Sequence, residues 1–397
     1  MFKFRQKLKY TTIKKIEKIK LNQISEDINN FEKFIIVKEN KKFRIYDRKC
    51  DHNNGIIISR NKEHICPIHN WRFDPTSGKY LNGVKKKEQK YKLNKNFLII
   101  ENHEETPNIS RIKSIEKTKI RFFNHAFIKV TGNGFSFATD PWAFGPAFNT
   151  GWWLQHKTKN DWIEELNSCS FIYISHNHPD HLHPLTLSKL RKDMVIIVPK
   201  FLSDSTGIYL DELGFKNIHR LENAHEYRFK NTKLILSILK SGDFREDSGL
   251  YFSNGEFSCL LAVDSNAINF SRLPKVDLYG SSFAGGASGY PIMFESFNRK
   301  EKNNINIKSK NFTRIVNQKN LQKTKASYFL PYAGFFVEKL KRDSEVRNMH
   351  FKRKNKIEDY SNFCKKHKIK LMNVEIKDEY LFYGKKLMKE KRKRIKF

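Results

Sequence analysis

The stretch FIYISHNHPDHLH, residues 171–183, directs the interpretation of most of this chain. Its apolar start predicts a short strand, and a loop with four His and one Asp follows directly. In the spacing H-x-H-x-D-H, alternate residues face one metal ion, and the adjacent Asp and His face a second. The alternative, a histidine-rich surface loop, requires this spacing to follow an apolar strand by chance. The stretch therefore predicts a site for metal ions where a strand ends.

This spacing resembles the signature of the metallo-β-lactamase fold, a four-layer αββα sandwich. The resemblance implies two pairs of ligands and one spare side chain. These are His176 and His178 for the first metal ion, Asp180 and His181 for the second, and His183 as the spare residue.

Two further ligands expected in this fold are harder to assign. Asp264 follows the apolar run at residues 260–263 and is the expected bridging carboxylate, with a capping aspartate as the alternative. The loop at residues 240–247 should supply a third histidine to the first metal ion, but it contains none. Either a carboxylate, Asp243 or Asp247, substitutes, or the first metal ion lacks a ligand. A carboxylate would favour a harder metal such as iron over zinc.

His125 and Asp140 precede the metal motif at positions that resemble the lactonase-like branch of the same fold. Asp140 could orient the imidazole of a ligand from behind. It could equally open the turn before Pro141. The sequence leaves both roles open.

A second pair of motifs lies nearer the N-terminus, Cys50-Asp51-His52 and Cys66-Pro67-Ile68-His69, separated by thirteen residues. A Cys-x-His pair followed by a Cys-x-x-His pair is the ligand set of a Rieske 2Fe-2S centre, in which one iron takes two thiolates and the other takes two imidazoles. We therefore predict an electron-carrying 2Fe-2S cluster. Its predicted ligands are Cys50, His52, Cys66 and His69.

A zinc site is the alternative for these four ligands, because two Cys and two His also bind zinc tetrahedrally. Zinc fingers tend to pair Cys with Cys and His with His, whereas each motif here holds one of each, which favours the Rieske interpretation. The other cysteines, Cys169, Cys259 and Cys364, stand alone in the sequence. Their isolation argues against a disulfide framework and indicates a reducing compartment.

The chain has 397 residues, enough for two domains, and a formal net charge of +34. Clustered Lys and Arg would indicate nucleic-acid binding, but this excess is diffuse and is concentrated only at residues 3–20 and 385–394, so we expect no nucleic-acid partner. No run approaches the ~18 apolar residues of a membrane span, and no apolar segment typical of a secretory signal follows the N-terminal charges. The sequence therefore predicts a cytoplasmic protein without a membrane span.

The hydrophobic pattern predicts a mixed α+β chain in two parts. Short strands joined by turns between residues 34 and 100 indicate a small all-β domain. Beyond residue 120, apolar runs alternate with helix-capable stretches, which indicates layered architecture. The predicted parts are a Rieske domain with a basic N-terminal arm at residues 1–105, a linker at 106–119, a metallo-β-lactamase-like domain at 120–343 and a basic tail at 344–397.

Three linear stretches resemble the CMP-N-acetylneuraminic acid hydroxylase family. They are DPWAFGPAFNTGWWL at residues 140–154, FAGGASGYP at 283–291 and PYAGFFVE at 331–338. With both metal motifs in the same order, the resemblance covers residues 31–339, most of the chain. It implies a Rieske domain joined to a metallo-β-lactamase-like domain.

The resemblance also implies an activity. This family oxidises the N-acetyl methyl group of a CMP-linked sialic acid, using O2 and electrons passed through the Rieske centre. It implies a monooxygenase acting on a CMP-sialic acid or a related nucleotide-linked N-acyl sugar, with a ferredoxin or a cytochrome b5-like protein and its reductase as the electron donor. Because zinc has no redox chemistry, we predict one or two iron ions in the second site. The expected oxygen-activating ligands are His176, His178, Asp180, His181 and Asp264.

Two other functions fit the motifs. A lactonase-type hydrolase would use zinc or manganese to activate water and would keep the cluster as a structural or redox-sensing element. A non-enzymatic electron carrier with a decayed second site would explain the missing histidine. The metal content of the second site separates these functions from an oxygenase.

Overall fold

The structure is a computed structural model that describes residues 2–7, 9–51, 56–60, 63–66, 70–108, 116–243, 245–255, 257–270, 273, 275–286 and 289–392. The N-terminal part is built from short antiparallel strands. They are β1 Phe2–Lys7, β2 Lys9–Lys20, β3 Asp27–Asn30, β4 Phe34–Glu39, β5 Lys42–Asp47, β6 Ile58–Arg60, β7 Glu63–Ile65, β8 Arg72–Asp74, β9 Lys79–Tyr80, β10 Tyr91–Asn94 and β11 Phe97–Asn108.

Apart from β1, these strands form three small sheets, in the orders β3-β4-β5, β6-β7-β8-β9 and β10-β11-β2. Successive side chains of a strand point to opposite faces, and β4 uses both of its faces. Phe34 and Ile36 pack into one hydrophobic cluster with residues of β5 and β11. Ile35 and Val37 pack into a second cluster that contains both Cys50 and Cys66. The continuous apolar run in β4 is therefore buried on both faces, and one face supports the two cysteine motifs.

The rest of the chain contains longer sheets and the α-helices. Its strands are β12 Lys117–Asn124, β13 Phe127–Gly132, β14 Phe135–Thr139, β15 Pro146–Ala147, β16 Trp152–Leu154, β17 Phe171–Tyr173, β18 Val195–Pro199, β19 Asn217–Leu221, β20 His225–Phe229, β21 Leu234–Lys240, β22 Ser248–Asn254, β23 Phe257–Leu261, β24 Leu278–Ser282, β25 Tyr328–Tyr332, β26 Phe336–Val337, β27 Lys370–Leu371, β28 Lys377–Tyr383 and β29 Lys386–Arg392. Its helices are α1 Trp162–Asn167, α2 Pro184–Ser188, α3 Ser205–Glu212, α4 Arg299–Thr324, α5 Ser344–Asn348, α6 His350–Arg353 and α7 Ser361–Lys366.

Two eight-stranded sheets form the centre of this part, in the orders β19-β18-β17-β14-β13-β12-β28-β29 and β1-β20-β21-β22-β23-β24-β25-β27. Large apolar residues such as Ile128 and Leu236 fill the space between the sheets. A separate cluster joins the outer face of the first sheet to α1, α2 and α3. Leu321 of α4 and Cys364 of α7 pack with residues of the second sheet. The predicted αββα sandwich is confirmed.

Strand direction brings the predicted metal motif to one edge of the sandwich. β14 and β17 are parallel, as are β23, β24 and β25. Their carboxyl ends therefore point to the same edge within each sheet, which is where open α/β sheets place their ligands. Asp140 follows β14, His176 lies just beyond β17, and Asp264 follows β23.

The strands predicted from apolar runs are present as β4, β5, β11, β13, β17, β18, β21 and β23, whereas α4 was not predicted. α4 buries mainly polar residues, namely Asn306, Asn317, Asn320 and Thr324 together with Leu321. Asn317, for example, donates to the Ser282 carbonyl at 2.9 Å and to the Tyr360 hydroxyl at 3.2 Å. A helix that packs through asparagines carries little apolar periodicity.

The segment from residue 344 onward differs from the expected peripheral tail. β27 extends one large sheet, β28 and β29 extend the other, and Tyr380 and Phe382 are fully buried. Every second residue of β28, namely Asp378, Tyr380 and Phe382, is buried, as expected for a strand with one face on the core. At the other end, β1 pairs with β20 of the second part. The predicted linker at 106–119 overlaps the end of β11 and the start of β12, and residues 109–115 lie outside the described part.

Candidate metal centre

The described His and Asp side chains come together in three groups whose possible ligand atoms lie within 4.8 Å of one another. The groups share members, so they form one continuous centre at the edge of the sandwich. They are His176, His178 and Asp247; His176, His181 and Asp264; and His125, Asp180 and His181.

The first group contains a carboxylate where the fold signature expects a histidine. His176 Nε2 lies 2.8 Å from His178 Nδ1 and 3.8 Å from Asp247 Oδ1. Asp247 directly precedes β22, and its side chain is almost fully buried. Of the two carboxylates that the sequence offered, Asp247 joins the group and Asp243 does not. The Asp243 carboxylate accepts hydrogen bonds from Arg245 at 2.8 and 3.1 Å, and Arg245 Nη1 also lies 3.3 Å from Asp247 Oδ2.

The second set of side chains surrounds His181. Its Nε2 lies 3.3 Å from Asp180 Oδ2 and 3.7 Å from Asp264 Oδ2. His125 Nε2 contacts the same Asp180 oxygen at 3.0 Å. In the sequence, His125 stood out only because of its position before the metal motif. In the structure, the turn between β12 and β13 brings its ring to Asp180. His181 therefore belongs to two of the three groups and connects them.

The donor set fits metal ions, because several ligand atoms are buried and have no hydrogen-bond partner within the described structure. They are His125 Nδ1, Asp180 Oδ1, His181 Nε2 and Asp247 Oδ2. Buried polar atoms are nearly always satisfied in folded proteins, and each unsatisfied one calls for an explanation such as an ion. Imidazole and carboxylate together suit iron, zinc or manganese. The centre therefore has the chemistry to hold one or two such ions.

Asp140 lies directly behind this centre and is fully buried. Its carboxylate accepts hydrogen bonds from the Ser175 amide and hydroxyl, both at 2.7 Å, and lies 3.0 Å from His181 Nδ1. A carboxylate on one ring nitrogen fixes the orientation of the imidazole and leaves the other nitrogen to face a metal. Of the two roles left open by the sequence, this geometry corresponds to the orienting one.

Most of the ionisable side chains of the centre are buried and lie close together, so they shift one another's pKa values. Burial lowers the pKa of His176 well below its usual value, and the neighbouring His181 and His178 add to the effect. Burial alone would lower the pKa of His181, but the carboxylates of Asp180 and Asp140 outweigh it and raise that pKa well above the usual range. Burial and the nearby Asp264 raise the pKa of Asp247 to about 6. A bound cation would stabilise the ionised carboxylates that otherwise repel one another.

Backbone strain is concentrated around the centre. His125, Asp140, Val263 and Ala333 all adopt left-handed conformations, with φ between 39° and 56°. Each lies just beyond the end of a strand, and for the β-branched Val263 this conformation is a clear outlier. Such strain persists where the surrounding structure holds the residue in place, and it is common at functional sites.

His183 is buried but takes part in local structure. Its Nδ1 accepts a hydrogen bond from the Thr186 amide at 3.2 Å and caps the short helix α2, while its Nε2 lies 3.2 Å from the Pro146 carbonyl. Burial lowers its pKa to about 4. These contacts agree with its expected place as the spare histidine.

The cysteine motifs lie in two loops of the N-terminal part. Cys50 and Cys66 are both buried in one hydrophobic cluster with Tyr80 and Phe73. An isolated bridge between Lys49 and Ile56 closes the first loop, and the Cys66 amide donates to the Trp71 carbonyl at 2.8 Å to close the second. The other two predicted ligands, His52 and His69, lie outside the described residues.

Two buried side chains anchor the first of these loops. Lys86 Nζ donates to the Lys49 carbonyl at 2.5 Å and lies 3.1 Å from Asp51 Oδ2. Tyr80 donates to the same Asp51 oxygen at 2.9 Å and accepts from the Asp51 amide at 3.1 Å. Cys50 is therefore held between two anchored neighbours, and buried cysteines on fixed loops suit a cluster that exchanges electrons without large movement.

A comparison with protein families identifies the N-terminal part. Residues 11–95 match the family model described as the Rieske [2Fe-2S] domain. The N-terminal part is thus a Rieske domain, and its cofactor is a 2Fe-2S cluster. Cys50 and Cys66 both lie within the matched residues and are buried.

The whole chain resembles a particular group of enzymes. It is 29% identical over 385 residues to the cytidine monophosphate-N-acetylneuraminic acid hydroxylase of Macaca mulatta, covering 88% of this chain and 63% of that protein. It is 30% identical over 352 residues to the hydroxylase of the same name from Xenopus laevis, covering 80% of this chain and 58% of that one. The resemblance inferred from the linear stretches is confirmed. The chain spans about three fifths of the length of these relatives.

Solved structures with partial similarity include an isothiocyanate hydrolase from Delia radicum gut bacteria, with a TM-score of 0.44 and 14% identity over 66% of this chain and 98% of that chain. Another is the diiron β-hydroxylase CmlA from Streptomyces venezuelae, with a TM-score of 0.42 and 15% identity over 70% of this chain and 55% of that chain. No helix in the described part of this chain is long and apolar enough to cross a membrane.

Proposed function

We propose that this chain is a Rieske-dependent monooxygenase that hydroxylates the N-acetyl group of a CMP-sialic acid or a related nucleotide-linked N-acyl sugar. The observation that carries the proposal is the pairing of a Rieske domain with a second, buried centre of His and Asp side chains. The similarity to hydroxylases of this name extends across both parts and supports the same substrate class.

The Rieske domain and the second centre would have different tasks. Cys50, His52, Cys66 and His69 would hold a cluster that transfers one electron at a time. The donor would be a ferredoxin or a cytochrome b5-like protein with its reductase. In the second centre His176, His178, Asp180, His181, Asp264 and Asp247 would hold iron, with His125 beside them. Iron bound there would supply the redox chemistry that activates O2 for attack on an unactivated C–H bond, which zinc cannot supply.

The surrounding residues would orient and shield this chemistry. Asp140 would hold the His181 ring through Nδ1 so that Nε2 faces the ion. His176 Nδ1 contacts the Ser175 hydroxyl at 2.8 Å, so its Nε2 is likewise turned toward the centre. Because His176, Asp180 and His181 are buried, water is largely excluded around them. Exclusion of water strengthens electrostatic interactions and prevents side reactions.

Metal analysis combined with EPR on protein purified without O2 tests the proposal. We expect more iron per chain than one 2Fe-2S cluster accounts for, together with a reduced Rieske signal. Incubation with CMP-N-acetylneuraminic acid, O2 and a reduced donor should yield a product heavier by one oxygen atom, and reactions without the donor should not. Iron in the cluster alone, accompanied by zinc in the second centre and no oxygenated product, would refute the proposal in favour of a hydrolase.

A further inference from the structure

A pocket of about 500 Å³ opens at the same edge of the sandwich as the candidate metal centre. Its walls include residues 283–284 after β24 and 334–335 after β25; β24 pairs with β23, the strand before Asp264, and β25 pairs with β24. The remaining walls carry polar and charged side chains, among them Gln155, Lys354, Lys356, Glu358 and Glu375. The pocket has the size and mixed lining typical of a small-molecule site.

Phe336 connects the pocket to the metal centre. Its ring lies 6.0 Å from the His125 ring and is stacked on Trp152 at 3.8 Å. The ammonium group of Lys354 lies 3.2 Å from the centre of the same ring. In addition, the Ala333 amide donates to the His125 carbonyl at 2.8 Å. A molecule in the pocket would therefore lie one aromatic ring away from the metal centre.

The neighbours of Lys354 fix its position. The Asn355 amide donates to the Ala284 carbonyl at 2.7 Å, and its side chain donates to the Lys310 carbonyl at 3.0 Å. On the other side, the buried Arg353 donates to the Gly286 carbonyl at 2.6 Å. These bonds tie the segment at 353–355 to the loop after β24. Lys354 is therefore held in place before any ligand arrives, which reduces the entropy cost of binding.

The charge of Lys354 is not balanced by an ion pair in the described structure. Its Nζ donates to the Phe336 carbonyl at 2.8 Å, a neutral partner. Burial lowers its pKa to about 7, although Glu338 acts in the opposite direction. A half-buried lysine whose hydrogen-bond partner is a neutral carbonyl gains from an anionic ligand, because charge-assisted hydrogen bonds are the stronger ones.

The lining also offers hydrogen-bond acceptors. Glu375 Oε1 lies 3.5 Å from both Gln155 Nε2 and His156 Nε2. Glu358 accepts a hydrogen bond from Asn373 at 3.2 Å and is exposed. A ligand that carries both a phosphate and hydroxyl or amino donors matches a lining that contains both lysines and glutamates. A nucleoside monophosphate has both.

We propose that this pocket binds the nucleoside monophosphate portion of the substrate, with Lys354 and Lys356 contacting the phosphate and Glu358 and Glu375 accepting hydrogen bonds from the nucleoside. The inference rests on the proposed function, since it places the sugar of a nucleotide-linked substrate toward the metal centre. It assigns substrate recognition to residues 354–358 and 375, in the segment expected to be a tail.

Calorimetric titration of the purified full chain with cytidine monophosphate tests this site. Loss of one charge-assisted hydrogen bond should weaken binding about tenfold or more in Lys354→Gln and severalfold in Lys356→Gln. Lys341→Gln is the matched control, because Lys341 is an exposed lysine of the same segment outside the pocket. Inorganic phosphate should compete with the nucleotide, and cytidine should bind more weakly than its monophosphate.

A second measurement covers the case in which Lys354→Gln fails to fold. Acetylation of the wild-type protein, read by peptide mass spectrometry, should be slowed at Lys354 and Lys356 by cytidine monophosphate but unchanged at Lys341. Equal affinity in the wild type and both pocket variants, or no binding by the wild type, would overturn the assignment. Because binding requires no electrons, the two proposals can fail separately. Lysine-dependent binding without oxygenation refutes only the enzyme proposal, and oxygenation with lysine-independent binding refutes only the pocket.

Discussion

Asp247 is the residue that most distinguishes this metal centre from one built around imidazoles. It takes the position beside His176 where the sequence lacks a histidine, and its side chain is almost fully buried. A carboxylate adds negative charge and a hard oxygen donor, which favours iron over softer ions. The presence of Asp247 in place of the expected histidine therefore favours iron in this centre.

We therefore expect Asp247→Asn to lose metal from the second centre. Loss of a partner behind a ligand costs roughly 10–100-fold in metal affinity, and loss of a ligand itself should cost at least as much. Metal analysis after dialysis against a chelator measures the effect. Asp243→Asn is the matched control, because Asp243 is a neighbouring carboxylate that lies outside all three groups of possible ligands. Equal metal loss in both variants, or in neither, would contradict the assignment of Asp247.

Lys354 leads to a prediction about stability and pH. Its pKa in the folded chain is about 7, below the ~10.4 of an unfolded lysine. Between these values the unfolded chain binds more protons than the folded chain, so this lysine makes stability rise with pH. Below pH 7 its contribution is unfavourable, because a charged lysine is then buried. Replacement by Met removes the dependence.

Thermal unfolding of the wild type and Lys354→Met at several pH values tests this sign. The melting temperature of the wild type relative to the variant should increase from pH 6.5 to pH 9.5. Lys341→Met, which changes an exposed lysine, should show a constant difference across the same range. A wild type that loses stability relative to Lys354→Met as the pH rises would contradict the buried, depressed lysine.

Local spacing revealed part of the site, and tertiary contacts determined the rest. His176, His178, Asp180 and His181 could be predicted because one turn carries them all. The choice between Asp243 and Asp247 could not, because it depends on which carboxylate the folded chain brings within reach of His176 and His178. Lys354 carries no motif, and its position depends on loops more than sixty residues earlier in the chain.

At the scale of elements, the loops of the Rieske domain depend on a lysine outside the Cys-His motifs. Lys86 lies in the segment between β9 and β10, and its side chain is only 2% exposed. It joins Asp47 at the end of β5 to Asp51 in the first loop, with distances of 3.0 and 3.1 Å. The loop is thus fixed by an ion-pair network rather than by the cysteine alone.

Lys86→Met should therefore weaken the first loop while retaining most of the buried volume. We expect a loss of about 1–3 kcal/mol in the stability of the Rieske domain, limited because Asp47 and Asp51 are 30% and 42% exposed and can reach water. Loss of the cluster absorption with increasing urea measures it. Lys87→Met is the control, since Lys87 is the exposed neighbour in sequence. Identical urea curves for the two variants would refute the anchoring role.

At the scale of elements, strands could be predicted where apolar residues follow one another in the sequence. β4, β17 and β21 are continuous apolar runs, and each is present. α4 and the strands after residue 376 escaped prediction for physical reasons. The helix packs through asparagine hydrogen bonds, and the charged residues of β28 mask the alternate buried ones. Because β29 at the edge of its sheet contains several lysines, its sequence resembles that of a solvent-exposed tail.

At the scale of the whole molecule, the two metal sites lie in separate hydrophobic cores. Cys50 and Cys66 belong to a cluster made only of residues from the N-terminal part. The histidine motif follows β17, whose side chains pack into the two clusters of the sandwich. Separate cores allow one site to be emptied without loss of the other, which makes the division into two domains testable.

Reciprocal variants test that division. His176→Ala with His178→Ala should remove metal from the second centre and abolish oxygen-dependent turnover, while the EPR signal of the Rieske cluster remains at full intensity. Cys50→Ser with Cys66→Ser should remove the cluster but leave the second-centre metal in place, because none of its proposed ligands belongs to the Rieske domain. His225→Ala, a histidine outside the centre, should retain both metals. If either double variant loses both metals while it remains folded, the two sites are not independent, and the second centre requires contacts from the Rieske domain.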